Sequence, residues 1–250
     1  MFFARIHTYL TEEIFMIFLT FTTCLILHIL FILRYKHIIF DLDGTLIDSE
    51  AGIKNSLRYA LEKMQIPFDL EKRYKEFIGP PLHDGFMNVL GLSEIEAEKG
   101  VAIFREYYSS RGVYESCLYP GIYQLLDDLY DQKHNLYLAT SKLEKYACSI
   151  LKHLEIDGFF TAISGAAYRG SGADKTLLIE RILTNIPKND RELTIMVGDT
   201  CYDIEAARHI GIKAIGVLYG FGSNQELSGC GAVCIVKNVE ELKQQLLITR

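Results

Sequence analysis

Short apolar runs and amphipathic helical patterns alternate along most of this sequence. The first run, His37–Phe40, is largely apolar and β-branched, and comparable runs lie at 136–139, 193–197, 213–217 and 232–236. Between the runs, apolar residues recur three and four positions apart, which is the spacing of an amphipathic helix. Strands that alternate with helices form a parallel sheet covered on both faces. We therefore predict an α/β fold with a doubly wound, Rossmann-like parallel sheet.

The alternation is interrupted once, by a long stretch that shows only helical patterns. Apolar residues keep helical spacing from Ile53 to Met64 and again from Ile95 to Tyr108, and the Pro80-Pro81 pair marks a loop between them. Such a stretch indicates an α-helical cap domain inserted after the first strand. The predicted division is a core formed by residues 36–50 and 117–250 and a cap formed by residues 51–116.

The first 35 residues are strongly hydrophobic. Twenty consecutive residues from Ile14 to Leu33 carry no formal charge, which is long enough to cross a hydrocarbon layer of about 30 Å as a helix. Arg34 and Lys36 follow this run, so a true membrane anchor places the rest of the chain in the cytoplasm. The alternative is that synthesis begins near Leu33 and the segment is never made. The intact mass of the natively expressed protein distinguishes the two.

The composition limits the kinds of partner and ion that the protein is expected to bind. The net charge is -6, and no cluster of lysines and arginines is present, so we do not expect a nucleic acid partner. The six cysteines form no C-x-x-C pair, which argues against a structural zinc site. We expect them to be free thiols in a cytoplasmic protein. The sequence leaves the oligomeric state open.

The first predicted strand ends in an acidic turn, Asp41-Leu42-Asp43-Gly44-Thr45. Side chains two residues apart point the same way on a strand, and the turn at Gly44 lets both carboxylates converge on one ligand. One carboxylate can attack phosphorus while the other moves protons. A polar turn without chemistry has the same composition, so this motif gains weight from its companions.

Later predicted strands also end in polar residues. Thr140-Ser141-Lys142 follows one strand and offers a hydroxyl and backbone amides to a phosphoryl oxygen. Another strand is followed by Gly198-Asp199, with Asp203 four residues after Asp199, and these carboxylates could hold a hard divalent cation. Ligands of open parallel sheets bind at the carboxyl ends of the strands, so all three motifs are expected at one edge.

Taken in order, these motifs resemble the four motifs of the haloacid dehalogenase-like (HAD) hydrolases. The matching pattern is Asp41-x-Asp43-Gly44-Thr45-Leu46-x-Asp48-Ser49, then Thr140, then a lysine, then Gly198-Asp199-x-x-x-Asp203. The resemblance runs from about residue 36 to the C-terminus. The helical cap resembles the branch that contains phosphoglycolate phosphatases and 5'-nucleotidase-like enzymes, whose substrate-facing cap loop is similar to residues 77–82.

The resemblance implies a role for each motif residue. It makes Asp41 the nucleophile, and makes Asp43 the acid that protonates the leaving oxygen and the base that then activates water. The resemblance also implies a set of phosphate-binding residues and a Mg²⁺ site. The implied phosphate ligands are Gly44, Thr140, Ser141 and Lys175. The implied metal ligands are Asp41, Asp43 through its carbonyl, and Asp199. Asp203 is implied to belong to the metal site by contacting these ligands.

The sequence leaves open which lysine binds phosphate and which cap residues contact the leaving group. Lys175 is followed by Thr176 where many relatives have proline, so Lys142 is the substitute for the phosphate-binding lysine. His83, Lys54 and Arg111 of the cap could contact the leaving group, although an exposed helix carries such residues in any case.

The expected function is therefore a phosphomonoester hydrolase, a Mg²⁺-dependent phosphatase acting on a small metabolite such as phosphoglycolate or a 5'-nucleotide. The resemblance also extends to transport ATPases, which it implies have a threonine at the position of Asp43 and a long-lived phosphoenzyme. Asp43 instead supplies a base for rapid hydrolysis, which argues against such a phosphoenzyme here. A phosphomutase of the same superfamily is the alternative enzyme, and a non-enzymatic phospho-acceptor or binding domain is the alternative outside catalysis.

Overall fold

The central sheet brings the predicted apolar runs side by side. The computed structural model describes residues 35–78, 81–167 and 174–247. The strands in these ranges are β1 (His37–Phe40), β2 (Ile47–Asp48), β3 (Cys117–Leu118), β4 (Asn135–Leu143), β5 (Phe160–Ala166), β6 (Thr194–Gly198), β7 (Lys213–Val217) and β8 (Cys234–Val236). Six of these described strands pair in parallel in the order β5-β4-β1-β6-β7-β8. The predicted doubly wound parallel sheet is confirmed.

Helices connect the strands and form the insertion after β2. The α-helices in the described ranges are α1 (Glu50–Met64), α2 (Leu70–Arg73), α3 (Leu82–Leu90), α4 (Glu94–Ser110), α5 (Ile122–Asp131), α6 (Glu144–His153), α7 (Lys175–Leu183), α8 (Cys201–Ile210), α9 (Asn224–Cys230) and α10 (Val239–Leu246). Short 3-10 turns lie at Tyr74–Phe77, Gly112–Tyr114, Asp157–Phe159 and Lys188–Leu193.

Side chains of the central strand alternate between two hydrophobic layers. Ile38 and Phe40 of β1 belong to the layer that also contains apolar residues of α5, α6 and α10. Ile39 belongs to the layer with apolar residues of α7 and α8. All three side chains are fully buried. Because successive side chains of a strand point to opposite faces, β1 needs helices on both faces, and the fold provides them.

The strands of the structure differ from the predicted ones in β4, β5 and β8. The predicted strand at 136–139 continues to Leu143 with a register shift after Thr140, so the Thr140-Ser141-Lys142 motif lies within β4. Strand β5 was not predicted, because Phe160–Ala166 mixes polar and small residues with apolar ones and is only partly buried as an edge strand. The predicted strand at 232–236 is shorter and begins at Cys234.

A small antiparallel ribbon lies at the base of the helical insertion. Strand β2 precedes α1, and β3 follows the last turn of the insertion; Ile47 pairs with Leu118 and Asp48 with Cys117. The chain therefore leaves and re-enters the sheet region through two adjacent strands. A two-residue strand has too few residues to produce a period-two pattern, so the sequence did not reveal it.

Residues Glu50–Tyr114, called the helical segment below, pack around aromatic side chains. The Phe77 ring lies 5.7 Å from Phe68 and 5.8 Å from Phe86, measured between centroids, and both pairs meet edge to face. Phe86 is fully buried. Aromatic pairs at such distances stabilise a packed interior. The buried residues of the segment join the same hydrophobic cluster as one face of the sheet, and the predicted cap domain at 51–116 stays a prediction.

The apolar N-terminal segment lies outside the described residues, so both readings of residues 1–35 stay open. Within the three described ranges, no helix is both long enough and apolar enough to cross a membrane.

The expectation of six free thiols is wrong for two of them. Cys201, the first residue of α8, and Cys230, the last residue of α9, form a disulfide with their Cα atoms 5.7 Å apart. Cys117, Cys148 and Cys234 are free, and Cys24 lies outside the described residues. The pairing depends on how α8 packs against α9, which no local sequence pattern shows.

Candidate functional site

The polar motifs meet at the carboxyl edge of the sheet. Asp41 directly follows β1, and its backbone N–H donates to the carbonyl of Val197 in β6 at 2.9 Å. Asp199 follows β6 by the same distance along the chain, and Thr140 lies near the end of β4, the neighbour on the other side. Three strands that are distant in sequence therefore deliver their terminal side chains to one place.

Lys175 lies at the centre of the acidic residues. Its Nζ is 2.5 Å from Asp41 Oδ1 and 2.9 Å from Asp203 Oδ1, and it also donates to the carbonyl oxygen of Ala139 at 3.0 Å. Only about 7% of this side chain is exposed. A solvated surface lysine is therefore excluded, and of the two candidate lysines Lys175 is the one beside Asp41.

Three buried carboxylates form a cluster suited to a hard cation. One oxygen each from Asp41, Asp199 and Asp203 lies within 4.8 Å of the other two. Asp203 Oδ1 is buried, and Lys175 Nζ is its ion-pair partner at 2.9 Å. One lysine cannot neutralise three carboxylates, and Mg²⁺ takes such oxygen ligands. The residues therefore fit a divalent cation, and which of the three carboxylates would contact the ion stays a prediction.

Burial sets the ionisation of this cluster. It raises the pKa of Asp41 to about 7, and the carboxylates of Asp203 and Asp43 add to the increase, while Lys175 opposes it. The pKa of Asp199 is also raised, by burial first and then by Asp203 and Asp41. Burial alone lowers the pKa of Lys175, but the adjacent carboxylates outweigh it and keep the ammonium charged.

Asp203 also organises the start of α8. Its Oδ2 accepts hydrogen bonds from the backbone N–H of Thr200 at 3.1 Å and from the Thr200 hydroxyl at 2.9 Å. This is a capping box, with Asp203 in the first helical turn where the helix dipole favours negative charge. Asp203 therefore caps α8 and also belongs to the acidic cluster.

The loop at residues 218–222, which was not predicted as part of the site, holds Asp199 in place. The backbone N–H of Phe221 donates to Asp199 Oδ2 at 2.8 Å, and the Thr45 hydroxyl donates to Oδ1 at 3.3 Å. Tyr219 donates its hydroxyl to the Thr45 carbonyl at 3.1 Å. The position of this loop in the sequence could have identified it, because residues 218–222 follow the carboxyl end of β7, at the edge where ligands are expected.

Gly44 is required by this same packing. Its φ is +84°, and a Cβ at this position would lie 2.1 Å from Asp199 Oδ2. A side chain is therefore excluded on both conformational and steric grounds. The structure places Gly44 against Asp199, and its predicted contact with phosphate stays a prediction.

Asp43 lies beside a different lysine. Lys142 Nζ is 2.9 Å from Asp43 Oδ1 and 2.5 Å from the hydroxyl of Tyr108, which belongs to α4 of the helical segment. The Asp43 side chain keeps about 19% of its surface exposed. Its carboxylate is not part of the three-residue acidic cluster, and the predicted metal contact through its carbonyl stays a prediction.

A cavity of about 940 Å³ opens above these residues, between the sheet edge and the helical segment. Its floor includes the side chains of Asp41, Asp43, Thr140, Ser141, Lys142 and Lys175. Its walls combine aromatic and aliphatic side chains with a few polar ones. The wall residues are Ile53, Phe77, Ile78, Pro81, Leu82, His83, Asp84, Glu94, Glu98, Val101, Ala102, Phe104, Arg105, Tyr108, Leu143, Tyr146, Thr200 and Tyr202.

Of the three cap residues predicted to contact the leaving group, one lines the cavity and two do not. His83 lines the cavity, as do the described residues of the 77–82 loop. Lys54 forms ion pairs with Glu50 at 3.4 Å and Glu71 at 2.6 Å instead. The Arg111 guanidinium lies 5.8 Å from the centre of the Tyr107 ring, outside the cavity lining.

Comparison with known proteins identifies the family of this chain. Residues 38–217 match the family described as haloacid dehalogenase-like hydrolase. A 5'-nucleotidase from Pseudomonas aeruginosa is 40% identical over 78% of this chain and 88% of its own length. A phosphoglycolate phosphatase from Aquifex aeolicus is 32% identical over 74% and 85%. The solved structure of protein tyrosine kinase A (PtkA) from Mycobacterium tuberculosis superimposes with a TM-score of 0.75 at 33% identity, covering 85% of this chain and 98% of that one.

Proposed function

Because this chain belongs to the haloacid dehalogenase-like hydrolases and is a phosphatase, we propose that it hydrolyses small phosphomonoesters in a Mg²⁺-dependent reaction. One observation carries the proposal. The buried carboxylates of Asp41, Asp199 and Asp203 form one cluster, Lys175 pairs with Asp41 and Asp203, and both Asp41 and Lys175 line the cavity. A phosphate dianion approaching these carboxylates is repelled unless a cation and the lysine offset their charge.

In the proposed reaction Asp41 attacks phosphorus and becomes an aspartyl phosphate. Asp43 donates a proton to the leaving oxygen and then removes one from the water that hydrolyses the intermediate. Thr140, Ser141 and Lys175 hold the phosphoryl oxygens. Mg²⁺, when bound by Asp41 and Asp199, would neutralise charge on the transferring phosphoryl group. We also propose a cytoplasmic location, supported by the positive charges that follow the apolar N-terminal segment.

The cavity supports a nucleotide as substrate. Its volume of about 940 Å³ is at the upper end of the range for pockets that enclose drug-sized ligands, whereas phosphoglycolate has only two carbon atoms. Aromatic walls formed by Phe77, Phe104 and Tyr146 suit a flat nucleobase. The relative named a 5'-nucleotidase supports the same choice. We therefore propose a 5'-mononucleotide ahead of phosphoglycolate.

Phosphate release from a substrate panel tests this proposal. The purified full-length chain is assayed with mononucleotides, phosphoglycolate and sugar phosphates, with Mg²⁺ and after chelation. We expect Mg²⁺-dependent release, fastest with a 5'-mononucleotide. Asp41→Asn should lower kcat by at least about 1,000-fold, because the covalent route is lost. Asp131→Asn, on the exposed face of α5, is the matched control and should retain full activity.

Two outcomes contradict the proposal. Full turnover by Asp41→Asn eliminates the covalent mechanism, and full turnover after chelation eliminates the metal requirement. Transfer of the phosphoryl group to a second substrate hydroxyl in preference to water would instead indicate the phosphomutase alternative.

A further inference from the structure

We propose that Lys142 and Tyr108 are positioning residues that fix the carboxylate of Asp43 and link its placement to the helical segment. The inference rests on the proposed function, in which Asp43 transfers the protons. The contacts of both residues are distinct from those of Lys175, which lies beside the nucleophile.

Lys142 connects two groups that belong to different parts of the fold. Its side chain is only about 8% exposed, and its Nζ contacts Asp43 Oδ1 at 2.9 Å and the Tyr108 hydroxyl at 2.5 Å. The same Nζ lies 4.8 Å from the centre of the Tyr108 ring. A buried ammonium group holds its partners firmly, since losing either would leave it poorly compensated. The position of Asp43 therefore depends on Lys142, and that of Lys142 on Tyr108.

Tyr108 is itself fixed by contacts on both sides of the cavity. It is about 4% exposed, and its ring stacks on Phe104 of α4 at 5.4 Å between centroids. The ring also meets Tyr146 of α6, on the sheet side, edge to face at 5.3 Å. A change in how the helical segment sits on the sheet must therefore move the Tyr108 hydroxyl. Through Lys142, such a movement reaches Asp43.

Precise placement matters more for Asp43 than for a group that only binds. General acid catalysis requires the carboxyl group to lie within hydrogen-bond reach of the leaving oxygen. A displacement of about 1 Å can lower the rate by about 100-fold. The Lys142–Tyr108 pair gives Asp43 a fixed neighbour that is separate from Lys175. This arrangement allows proton donation once the helical segment is correctly seated.

The alternative role for Lys142 is direct binding of the substrate phosphate, and the contacts argue against it. Lys175 already supplies an ammonium group 2.5 Å from the nucleophile, while the Lys142 ammonium is engaged by Asp43 and Tyr108. The two roles have different kinetic consequences. A phosphate ligand acts on every substrate, whereas a residue that positions the acid acts only where the leaving oxygen needs a proton.

Two substrates of similar size separate the roles. Benzyl phosphate releases an alkoxide that must be protonated, whereas p-nitrophenyl phosphate releases a phenolate that leaves without a proton. The quantity compared is kcat/KM, which covers the steps up to departure of the leaving group. For Lys142→Met we expect a fall of about 100-fold with benzyl phosphate and less than about 3-fold with p-nitrophenyl phosphate. For Tyr108→Phe we expect the same selectivity with a fall of about 3- to 10-fold, because the ring packing remains.

Matched controls use neighbouring residues of the same type. Tyr107→Phe removes the adjacent hydroxyl of α4, which contacts Glu115 at 2.9 Å, and Lys152→Met removes an exposed lysine of α6. Both should leave the ratio of the two kcat/KM values unchanged. The double variant Lys142→Met/Tyr108→Phe should be no worse than Lys142→Met alone, since Tyr108 acts through Lys142.

The outcomes are decisive for the inference and distinct from those of the proposed function. Equal losses on both substrates, a raised inhibition constant for inorganic phosphate, or unchanged activity in both variants would overturn it. If Lys142→Met fails to fold, the milder Tyr108→Phe decides by the same ratio. Failure of the proposed function appears separately, as a wild-type protein without activity or an Asp41→Asn variant that retains it.

Discussion

At the scale of single residues, the position of Asp199 is determined by glycines as much as by its hydrogen bonds. A Cβ on Gly220 would lie 2.2 Å from the Gly44 carbonyl oxygen and 2.5 Å from Asp199 Oδ2. Two glycines from distant parts of the chain therefore face each other beside the acidic cluster. The close approach lets the Phe221 amide reach the Asp199 carboxylate at 2.8 Å.

Gly220→Ala should consequently damage the metal site. The added methyl group must displace the Gly44 backbone or the Asp199 side chain, and overpacking of this kind costs about 1 to 3 kcal/mol of unfolding free energy. We expect the Mg²⁺ concentration for half-maximal activity to rise by about 10-fold or more. Gly229→Ala is the control, because a Cβ there meets nothing within 4 Å, and a helical alanine is favoured over glycine. Equal Mg²⁺ requirements in the two variants would contradict this account of Asp199.

The residue scale also shows what sequence can predict of a site. Asp41, Thr140 and Asp199 could be placed together because each follows or ends a predicted strand, and strand ends of a parallel sheet share an edge. Lys175 could not be distinguished from Lys142 by the same rule, since no strand is predicted directly before it. Its identification beside Asp41 comes from geometry alone.

At the scale of secondary structure, prediction succeeds where one element has a strong pattern of its own. Strand β1 was visible as a short continuous run of buried residues, and helices such as α5 were visible because their buried residues recur at helical spacing. Strand β5 and the β2–β3 ribbon were missed, since an edge strand is partly solvated and a two-residue strand has no period. The loop at 218–222 was missed because its importance lies in what it contacts.

The disulfide between α8 and α9 provides a test at this scale. Cys201 and Cys230 are 29 residues apart, and closing a loop of that size stabilises a protein by about 3 to 4 kcal/mol in the chain-entropy model. Reduction should therefore lower Tm, by roughly 6 to 16 °C for a chain of this size. The measurement is thermal unfolding with and without reductant, followed by mass analysis of alkylated thiols.

A Cys201→Ser/Cys230→Ser variant is the control for reductant acting elsewhere. Its Tm should match that of the reduced wild type and should not respond to reductant. If the oxidised wild-type chain carries alkylatable thiols at both positions, the two cysteines are not bonded in solution. A reducing cytoplasm disfavours disulfides, so the state found in natively expressed protein also bears on the compartment.

At the scale of the whole molecule, the acidic cluster that the proposed function needs lowers the stability of the metal-free protein. Desolvation and mutual repulsion raise the pKa values of Asp41 and Asp199 above those of exposed aspartates. Without a cation, the folded chain therefore binds more protons than the unfolded chain between about pH 4 and the raised pKa of about 7 for Asp41. By linkage, the unfolding free energy of the metal-free protein must fall as pH rises through this window.

Thermal unfolding as a function of pH, with and without Mg²⁺, measures this directly. We expect Tm of the chelated protein to fall between pH 5 and pH 8, with about 3 kcal/mol lost through Asp41, at about 1.4 kcal/mol per pH unit up to its raised pKa of about 7. Saturating Mg²⁺ binds the folded state only, so it should raise Tm most at pH 8, where the carboxylates are ionised. Asp199→Asn removes one charge from the cluster, so it should stabilise the metal-free protein at pH 8 and abolish the response to Mg²⁺. Asp131→Asn should leave both unchanged, and a Mg²⁺ response equal at pH 5 and pH 8 would show that the cation binds elsewhere.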